Sequence, residues 1–203
     1  MTTAGTRLIL ATRNSGKLRE VKEILRGLPV EVVGLGELPG APEVVEDGLS
    51  FAENARKKAH ALAAWSGSMA LADDSGLEVD ALDGRPGMHS ARYAGEGATD
   101  QDNVRKLLEE MRGIPAGQRG ARFRCVMVLA APDGREWSSE GTWEGLIAED
   151  PRGTGGFGYD PVFLVPQENR TAAELLPEEK NRMSHRAMAL RGMREVLAGL
   201  LGP

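Results

Sequence analysis

The sequence predicts an α/β protein with a mixed, twisted β-sheet flanked by helices, because it carries patterns typical of both parallel and antiparallel sheets. In the first half, short apolar runs alternate with segments in which apolar residues recur every three or four positions. In the second half, Pro132-Asp133-Gly134 joins two strand-like segments, which predicts a β-hairpin. Hydrophobic residues make up 41% of the 203 residues and charged residues 27%, which excludes a disordered or fibrous chain. We expect two lobes with a cleft between them.

The first strand and helix are predicted around a polar loop. Leu8–Ala11 is an apolar run, Thr12–Lys17 is polar, and apolar residues then recur at helical spacing. Asn14 or Ser15 can cap the helix, so its first amides and the Lys17 ammonium face the same space beyond the strand. This arrangement suits an anion such as phosphate, and a merely solvated helix start is the alternative.

A second helix and strand are predicted directly before a pair of aspartates. Ser50 and Glu53 form a capping box for a helix that ends near Gly67. Met69–Ala72 reads as a strand, and Asp73-Asp74-Ser75-Gly76 is poorly suited to continuing it. We therefore expect carboxylates at the end of this strand.

Those carboxylates have a structural and a chemical interpretation. A turn or helix cap is the structural one for Asp73 and Asp74. Adjacent residues at a strand end point in different directions, so one aspartate can hold a hard metal ion while the other is tied into the structure. Glu46 and Asp47 offer a further hard ligand from a loop.

The rest of the chain predicts a third helix, the hairpin and a final helix. Thr99 and Asp102 cap a helix that closes at Gly113. The remaining expected elements are strands at Arg122–Ala131 and Arg135–Thr142, a loop at Glu149–Asp160, a strand at Pro161–Val165, a helical turn from Thr171, and a helix capped by Ser184.

Charge and cysteine content restrict the possible partners and location. The chain has 25 Lys and Arg against 30 Asp and Glu, a net charge of −5, which argues against nucleic-acid polymers but not against a small polyanion in a local basic pocket. No apolar run reaches the length of a membrane span, and Met1–Thr6 lacks the pattern of a signal peptide. The single cysteine, Cys125, lies among apolar residues and is expected to be a buried, inert thiol. These features predict a cytoplasmic protein without membrane or nucleic-acid partners.

Several familiar motifs are absent or misplaced. Gly153–Gly158 fits G-x-G-x-x-G, but Pro161 and a β-prone run follow at once where a dinucleotide site needs a helix. The chain has no G-x-x-x-x-G-K-[ST] loop and no G-x-S-x-G elbow, and its three histidines lack zinc-ligand spacing. Lys180 and His185-Arg186 form a basic group at a helix start, for which a solvated face is an equal alternative.

Six segments, taken together, carry a more specific signal. They are Leu10-Ala11-Thr12-Arg13-Asn14-Ser15-Gly16-Lys17, Ser50-Phe51-Ala52-Glu53-Asn54-Ala55, Ala72-Asp73-Asp74-Ser75-Gly76-Leu77, Gly84-Arg85-Pro86-Gly87 with Ser90-Ala91-Arg92-Tyr93, Gly155-Gly156-Phe157-Gly158-Tyr159-Asp160-Pro161, and Ser184-His185-Arg186. In this order they closely resemble the inosine/xanthosine triphosphate pyrophosphatase family. The likeness runs from about Leu8 to Leu197, nearly the whole chain.

The resemblance implies a nucleoside-triphosphate diphosphohydrolase formed by a single domain over residues 1–203. Members of this family cleave dITP, ITP or XTP to the monophosphate and pyrophosphate with Mg²⁺, and so remove noncanonical purine nucleotides. The resemblance also implies a homodimer and a two-lobed α/β fold with a central active-site cleft. The family has Gly after the first Thr of the loop where this chain has Arg13, and we expect a modest change near the phosphates.

Residue-by-residue similarity implies the site. Asp74 matches the family's proton acceptor and a metal ligand, and Glu46 a second metal ligand. The implied substrate-binding residues are Thr12, Arg13, Asn14, Ser15, Gly16 and Lys17 for the triphosphate, Lys58 for added charge, Ser75, Phe157, Gly158, Tyr159 and Asp160 around the nucleoside, and Lys180, His185 and Arg186 for the purine.

These implied roles agree with elementary chemistry. Donors from the purine-reading residues satisfy a 6-oxo group, whereas the 6-amino group of adenine leaves them unpaired. Coordination to a metal lowers the basicity of a carboxylate, so the metal role of Asp74 is better founded than its role as proton acceptor. Two alternatives stay open: a less specific nucleotide or phosphate-ester hydrolase, and a nucleotide-binding sensor without a competent metal site.

Overall fold

The structure, a computed structural model, describes residues 5–202. The chain forms two compact units. Unit 1 comprises the chain up to Asp74, Cys125–Gly141 and the residues from Arg186 onward, and unit 2 comprises Ser75–Arg124 and Thr142–His185. The interpretation of Met1–Thr6 concerns a segment whose first four residues lie outside the described part. Within residues 5–202, no helix combines the length and apolar character needed to cross a membrane.

In the described part of the chain, seven strands form one mixed sheet in the order β2-β1-β3-β4-β5-β6-β7. Strand β1 pairs in parallel with β2 and β3, and β6 pairs antiparallel with β5 and β7. The strands are β1 Thr6–Leu10, β2 Val30–Gly34, β3 Met69–Val79, β4 Gly120–Ala130, β5 Glu136–Ile147, β6 Phe163–Val165 and β7 Arg170–Thr171. The predicted mixed α/β sheet is confirmed.

Five α-helices accompany these strands in the described chain. They are α1 Ser15–Ile24, α2 Phe51–Ser66, α3 Asp100–Glu110, α4 Pro177–Met183 and α5 His185–Leu201. The predicted caps are confirmed for the first three, since Asn14, Ser50 and Thr99 each accept first-turn amides.

Unit 1 buries helices against both faces of its part of the sheet. Because side chains alternate along a strand, Leu8 and Leu10 of β1 contact one apolar cluster and Ile9 contacts another. The first cluster includes residues of α1 and α5, and the second includes residues of α2. Both faces of the sheet are therefore covered at Leu8–Leu10, and the loop after β1 begins from a buried strand end.

Unit 2 has its own core around α3 and a group of aromatic rings. Phe123 lies 4.5 Å from Phe163 and 4.8 Å from His185 between ring centroids, and Trp143 lies 5.1 Å from Phe163. Leu107 of α3 is fully buried in the same unit. This packing fixes the loop that precedes β6.

The structure corrects the predicted strand boundaries. The expected end of β3 at Ala72 is wrong, because β3 continues through Asp73 and Gly76 to Val79. The register with β1 covers Met69–Leu71, and β4 is the neighbour of β3 on its other side, so pairing with a distant segment overrides the low strand propensity of these residues. The expected strand at Pro161–Val165 is shorter, since Asp160–Val162 is a 3₁₀ turn and β6 begins at Phe163. Strands β2 and β7 are additions that the sequence interpretation did not contain.

Candidate active site

The polar loop after β1 is organised by its own side chains. Asn14 Oδ1 accepts hydrogen bonds from the amides of Gly16 at 2.8 Å and Lys17 at 3.1 Å, and Thr12 Oγ1 accepts one from the Asn14 amide at 3.1 Å. The predicted cap is therefore present, but it occupies two of the amides that a bound anion would use. The remaining attraction for an anion comes from the positive end of α1 and the Lys17 ammonium.

Lys17 points to the first of the two aspartates. Its Nζ lies 2.8 Å from Oδ2 of Asp73, whose side chain is only 6% exposed. Arg186 Nε lies 3.7 Å from the same oxygen, and Arg186 also reaches Glu20 at 3.4 Å. Burial opposes ionisation of Asp73, but the charges of Lys17 and Arg186 outweigh it and hold the Asp73 pKa well below its ordinary value. Asp73 is thus a buried carboxylate that carries its charge at neutral pH.

Asp74 faces a different set of groups. Lys58 of α2 lies with Nζ 3.8 Å from Asp74 Oδ1, 3.0 Å from Glu46 Oε1 and 2.7 Å from the carbonyl oxygen of Asp73. Burial raises the Asp74 pKa, with Lys58 opposing it and Glu46 and Asp73 adding to it. Two carboxylates, those of Asp74 and Glu46, therefore face one ammonium, whereas Asp73 faces Lys17 and Arg186.

A buried asparagine connects the Asp74 carboxylate to the loop that carries Glu46, and the sequence interpretation missed this role. Asn54 Nδ2 donates to Asp74 Oδ2 at 3.0 Å, and Asn54 Oδ1 accepts from the Gly48 amide at 2.8 Å. Asn54 is only 3% exposed. The available signal was a carboxamide on the apolar face of α2, alongside Phe51 and Ala55.

The carboxylates of unit 1 fit a hard metal ion whose remaining ligands come from the substrate and water. Within residues 5–202, no group of three or more His, Cys, Asp or Glu side chains is arranged to hold a metal. Asp74 and Glu46 nevertheless supply carboxylate oxygens to one region, beside Lys58. Magnesium is typically bound by one or two carboxylates together with substrate phosphates and water, so this pair suits it.

In unit 2, Asp160 organises the glycine-rich loop. Its Oδ2 accepts hydrogen bonds from the Phe157 amide at 2.8 Å and from Lys180 Nζ. Gly156 has a positive φ of 74°, and a Cβ at this position would overlap the Asp160 carboxylate. The G-x-G-x-x-G pattern thus serves a tight turn over a buried carboxylate rather than a dinucleotide. Asp160 is 2% exposed, so it stabilises the loop from a buried position beneath it.

Two further contacts fix the same loop. Asp100, the first residue of α3, accepts a hydrogen bond from the Gly158 amide at 2.7 Å. Tyr159 donates its hydroxyl to the carbonyl oxygen of Ser90 at 2.8 Å. With these anchors in place, Phe157 remains 40% exposed, and Lys180 Nζ lies 5.0 Å from its ring centroid. An exposed aromatic face beside a cation is suited to stacking a heterocyclic base.

The other predicted residues of unit 2 differ in exposure. His185 is 5% exposed and stacks on Phe123 at an interplanar angle of 13°. Ser75 is partly buried in β3, directly after Asp74 in the chain. A cavity of about 1170 Å³ lies between the glycine-rich loop and the face of α3 that carries Val104 and Leu108.

The structure distributes the predicted site residues over the two units. Unit 1 contains Thr12–Lys17, Lys58, the metal-ligand candidates Glu46 and Asp74, and Arg186. Unit 2 contains Ser75, Phe157–Asp160, Lys180 and His185. The predicted basic group is accordingly divided, since the described ion pairs of Arg186 lie in unit 1 and those of Lys180 in unit 2.

The fold and these two groups of side chains define a class of protein. A parallel β-α-β unit with a cationic loop after its first strand, beside carboxylates on the neighbouring strand β3, is the arrangement of a nucleotide- or phosphate-binding α/β protein. The model of the Ham1 family matches residues 8–196 of the chain. The chain therefore belongs to the Ham1 family.

Named relatives are similar over almost their whole length. A protein of Geobacter sulfurreducens named dITP/XTP pyrophosphatase is 54% identical over 185 residues, which are 91% of this chain and 93% of that protein. A Methylococcus capsulatus protein of the same name is 54% identical over 97% of this chain and 98% of its own. The solved structure of a HAM1 protein from Coxiella burnetii matches with a TM-score of 0.89 and 44% identity, covering 96% of this chain and 99% of that one.

Proposed function

We propose that this chain is a nucleoside-triphosphate diphosphohydrolase that cleaves the noncanonical purine nucleotides dITP, ITP and XTP to the monophosphate and pyrophosphate. The observation that carries the proposal is the convergence of Asp74 and Glu46 on Lys58, next to the Lys17–Asp73 pair. This combination offers metal-binding oxygens and phosphate-binding cations beside the carboxyl end of β1. Membership of the Ham1 family and the names of the relatives support the same activity.

The triphosphate is bound by the cations of unit 1. Lys17 and Lys58 supply two ammonium groups, and the loop Thr12–Lys17 supplies the positive end of α1. Arg13 is an exposed additional cation on this loop, in a place where the family has Gly. A protein with a net charge of −5 binds a polyanion here because its cations are concentrated locally.

The proposed metal is Mg²⁺, held by Asp74 and Glu46. When bound, Mg²⁺ supplies positive charge that offsets the charge on the phosphates and on the departing pyrophosphate. Asp74 is fixed by Asn54 at 3.0 Å and so presents its carboxylate in one orientation. Asp74 would also accept a proton from the attacking water, and bound Mg²⁺ would lower the basicity of this carboxylate.

The purine is bound by residues of unit 2. Phe157 stacks on the base, and Lys180 and His185 donate to the 6-oxo group, whereas Arg186 pairs with Asp73 in unit 1. Adenine presents an amino group at this position, so it would leave these donors unpaired in a desolvated site. The nucleoside site also includes Ser75, Gly158 and Tyr159. Asp160 shapes it through its hydrogen bonds with Phe157 and Lys180.

Three properties of the whole molecule belong to the same proposal. Residues 1–203 act as one functional domain, which the single family match over residues 8–196 supports. The chain works as a homodimer in the cytoplasm. Its partners are small purine nucleotides rather than nucleic-acid polymers or membranes.

A product-resolved substrate panel tests the activity. ITP, XTP, dITP, GTP and ATP are incubated with the protein and Mg²⁺, and the products are identified. We expect monophosphate and pyrophosphate from ITP, XTP and dITP at rates well above those with GTP and ATP. Orthophosphate release, or equal rates with ATP, would favour a less specific hydrolase, and binding without turnover would favour a nucleotide sensor.

A further inference from the structure

Asn54 makes two hydrogen bonds that join separate parts of unit 1. Its Nδ2 donates to Asp74 Oδ2 at 3.0 Å, and its Oδ1 accepts from the Gly48 amide at 2.8 Å. Gly48 lies two residues after Glu46, on the loop that precedes α2. A single buried carboxamide therefore fixes both the Asp74 side chain and the backbone that carries Glu46.

The backbone of Gly48 lies so close to Asn54 and Glu53 that a side chain at position 48 would overlap them. A Cβ at position 48 would lie 2.6 Å from Asn54 Oδ1, 2.9 Å from Cβ of Glu53 and 3.2 Å from the Asn54 amide nitrogen. Glycine at position 48 thus permits the loop to approach α2 closely. The distance between Glu46 and Asp74 depends on that approach.

The chemistry of the side chain suits this role. An amide is neutral, so it orients the Asp74 carboxylate without placing a positive charge beside it, and it donates and accepts at the same time. Groups that hydrogen-bond to metal-ligating carboxylates in this way fix their orientation, and their loss typically costs about 10- to 100-fold in metal affinity or activity.

We propose that Asn54 is a positioning residue that sets the spacing and orientation of the Asp74 and Glu46 carboxylates for a divalent cation. The inference rests on the proposed function, since it assumes that these two carboxylates hold the metal. It assigns Asn54 no contact with substrate.

The chain contains a matched control. Asn103 stands at the fourth position of α3, as Asn54 does in α2, and is 2% exposed. Its Oδ1 accepts from the Ala94 amide at 2.8 Å, and its Nδ2 donates to the carbonyl oxygen of Ala91 at 3.2 Å. Asn103→Ala therefore removes a comparable pair of hydrogen bonds from a buried helix start without touching Asp74.

The experiment measures binding of Mn²⁺ alone by electron paramagnetic resonance, and the Mg²⁺ concentration that gives half-maximal ITP turnover. The proteins are the full chain, Asn54→Ala, Gly48→Ala, Asn103→Ala and Asp74→Asn. We expect Asn54→Ala and Gly48→Ala to weaken Mn²⁺ binding at least about tenfold and to raise the Mg²⁺ requirement in parallel. Asn103→Ala lowers the melting temperature but leaves both metal readouts unchanged. Gly48→Ala keeps the Asn54 side chain, so it tests the spacing even if Asn54→Ala folds poorly.

The outcomes separate this inference from the proposed function. If Asp74→Asn loses Mn²⁺ binding while Asn54→Ala and Gly48→Ala bind it as Asn103→Ala does, Asn54 has no positioning role and the metal assignment stands. If Asp74→Asn binds Mn²⁺ normally, the metal assignment fails and the role of Asn54 fails with it.

Discussion

The ammonium of Lys17 and the carboxylate of Asp73 lie 2.8 Å apart, although 56 residues separate them in the chain. This pair fixes the cation of the polar loop to the strand that carries the acidic residues. It also explains why two adjacent aspartates behave differently. Asp73 is neutralised internally by Lys17 and Arg186, whereas Asp74 faces Glu46, Lys58 and Asn54.

Replacing Asp73 by asparagine should destabilise the fold in a pH-dependent way. Because Asp73 is buried and its pKa is lowered in the folded state, its charge stabilises the protein at pH values above the unfolded pKa of about 4. That contribution is lost progressively as the pH falls through the lower folded pKa. We expect Asp73→Asn to reduce stability at pH 7 by on the order of 1–3 kcal/mol, with a smaller deficit below pH 4.

Thermal unfolding of both proteins between pH 7 and pH 3 checks this prediction. Asp133→Asn, in the exposed hairpin turn, is the control and should have little effect. A deficit for Asp73→Asn that grows as the solution is acidified would contradict the role assigned to the Lys17–Asp73 pair.

Asp74→Asn should abolish turnover while leaving nucleotide binding largely intact. The amide cannot accept the proton and is a poor metal ligand, so we expect kcat for ITP to fall by at least about 100-fold. The cations Lys17 and Lys58 remain, and they continue to bind the triphosphate. Steady-state kinetics and equilibrium binding of ITP measure the two effects, and unchanged turnover would refute the role of Asp74.

Glu46 and Asp47 are neighbours with different partners, which gives an internal comparison. Glu46 contacts Lys58 at 3.0 Å beside Asp74, whereas Asp47 pairs with the exposed Lys57 at 2.6 Å. We expect Glu46→Gln to raise the Mg²⁺ concentration for half-maximal rate about tenfold and Asp47→Asn to leave it close to wild type. A titration of rate against Mg²⁺ decides, and equal effects of the two changes would remove Glu46 from the metal site.

Lys180 should determine base selection, and Lys106 offers a control of similar geometry. Lys180 lies 5.0 Å from the Phe157 ring centroid and bonds Asp160, and Lys106 lies 4.5 Å from the Tyr93 ring centroid and donates to the Tyr93 carbonyl at 2.7 Å. We expect Lys180→Ala to reduce the ratio of kcat/KM for ITP over ATP at least about tenfold, because a donor to the 6-oxo group is lost.

Lys106→Ala should retain the wild-type ratio. Competition between ITP and ATP in one reaction mixture measures the ratio directly. If Lys180→Ala keeps the discrimination against ATP, the purine-reading assignment is wrong.

Phe157 should contribute to binding through its ring. It is 40% exposed although its loop is fixed by Asp100, Asp160 and Tyr159. Stacking on one base is worth about 1–3 kcal/mol, so we expect Phe157→Ala to raise KM for ITP by about 5- to 150-fold and Phe157→Trp to restore it. A KM for Phe157→Ala equal to that of the unaltered protein would show that the base does not stack there.

The sequence predicted local features of the fold better than contacts between distant segments. Capping residues such as Asn14 and Thr99 act on nearby amides, so the sequence pattern predicts them. The continuation of β3 through Asp73 could not be predicted in this way, because it depends on pairing with a distant segment. Asn54 was missed for the same reason, since its partners Gly48 and Asp74 are defined only once the loop, helix and strand have packed.

The position of bond cleavage tests the central claim most directly. ITP is hydrolysed in ¹⁸O-labelled water with Mg²⁺, and the products are analysed by mass spectrometry. Attack of water on the α-phosphorus, as proposed for Asp74 and the cations around it, places the label in inosine monophosphate and leaves pyrophosphate unlabelled. Label in pyrophosphate, or the formation of labelled orthophosphate and inosine diphosphate, would contradict the account.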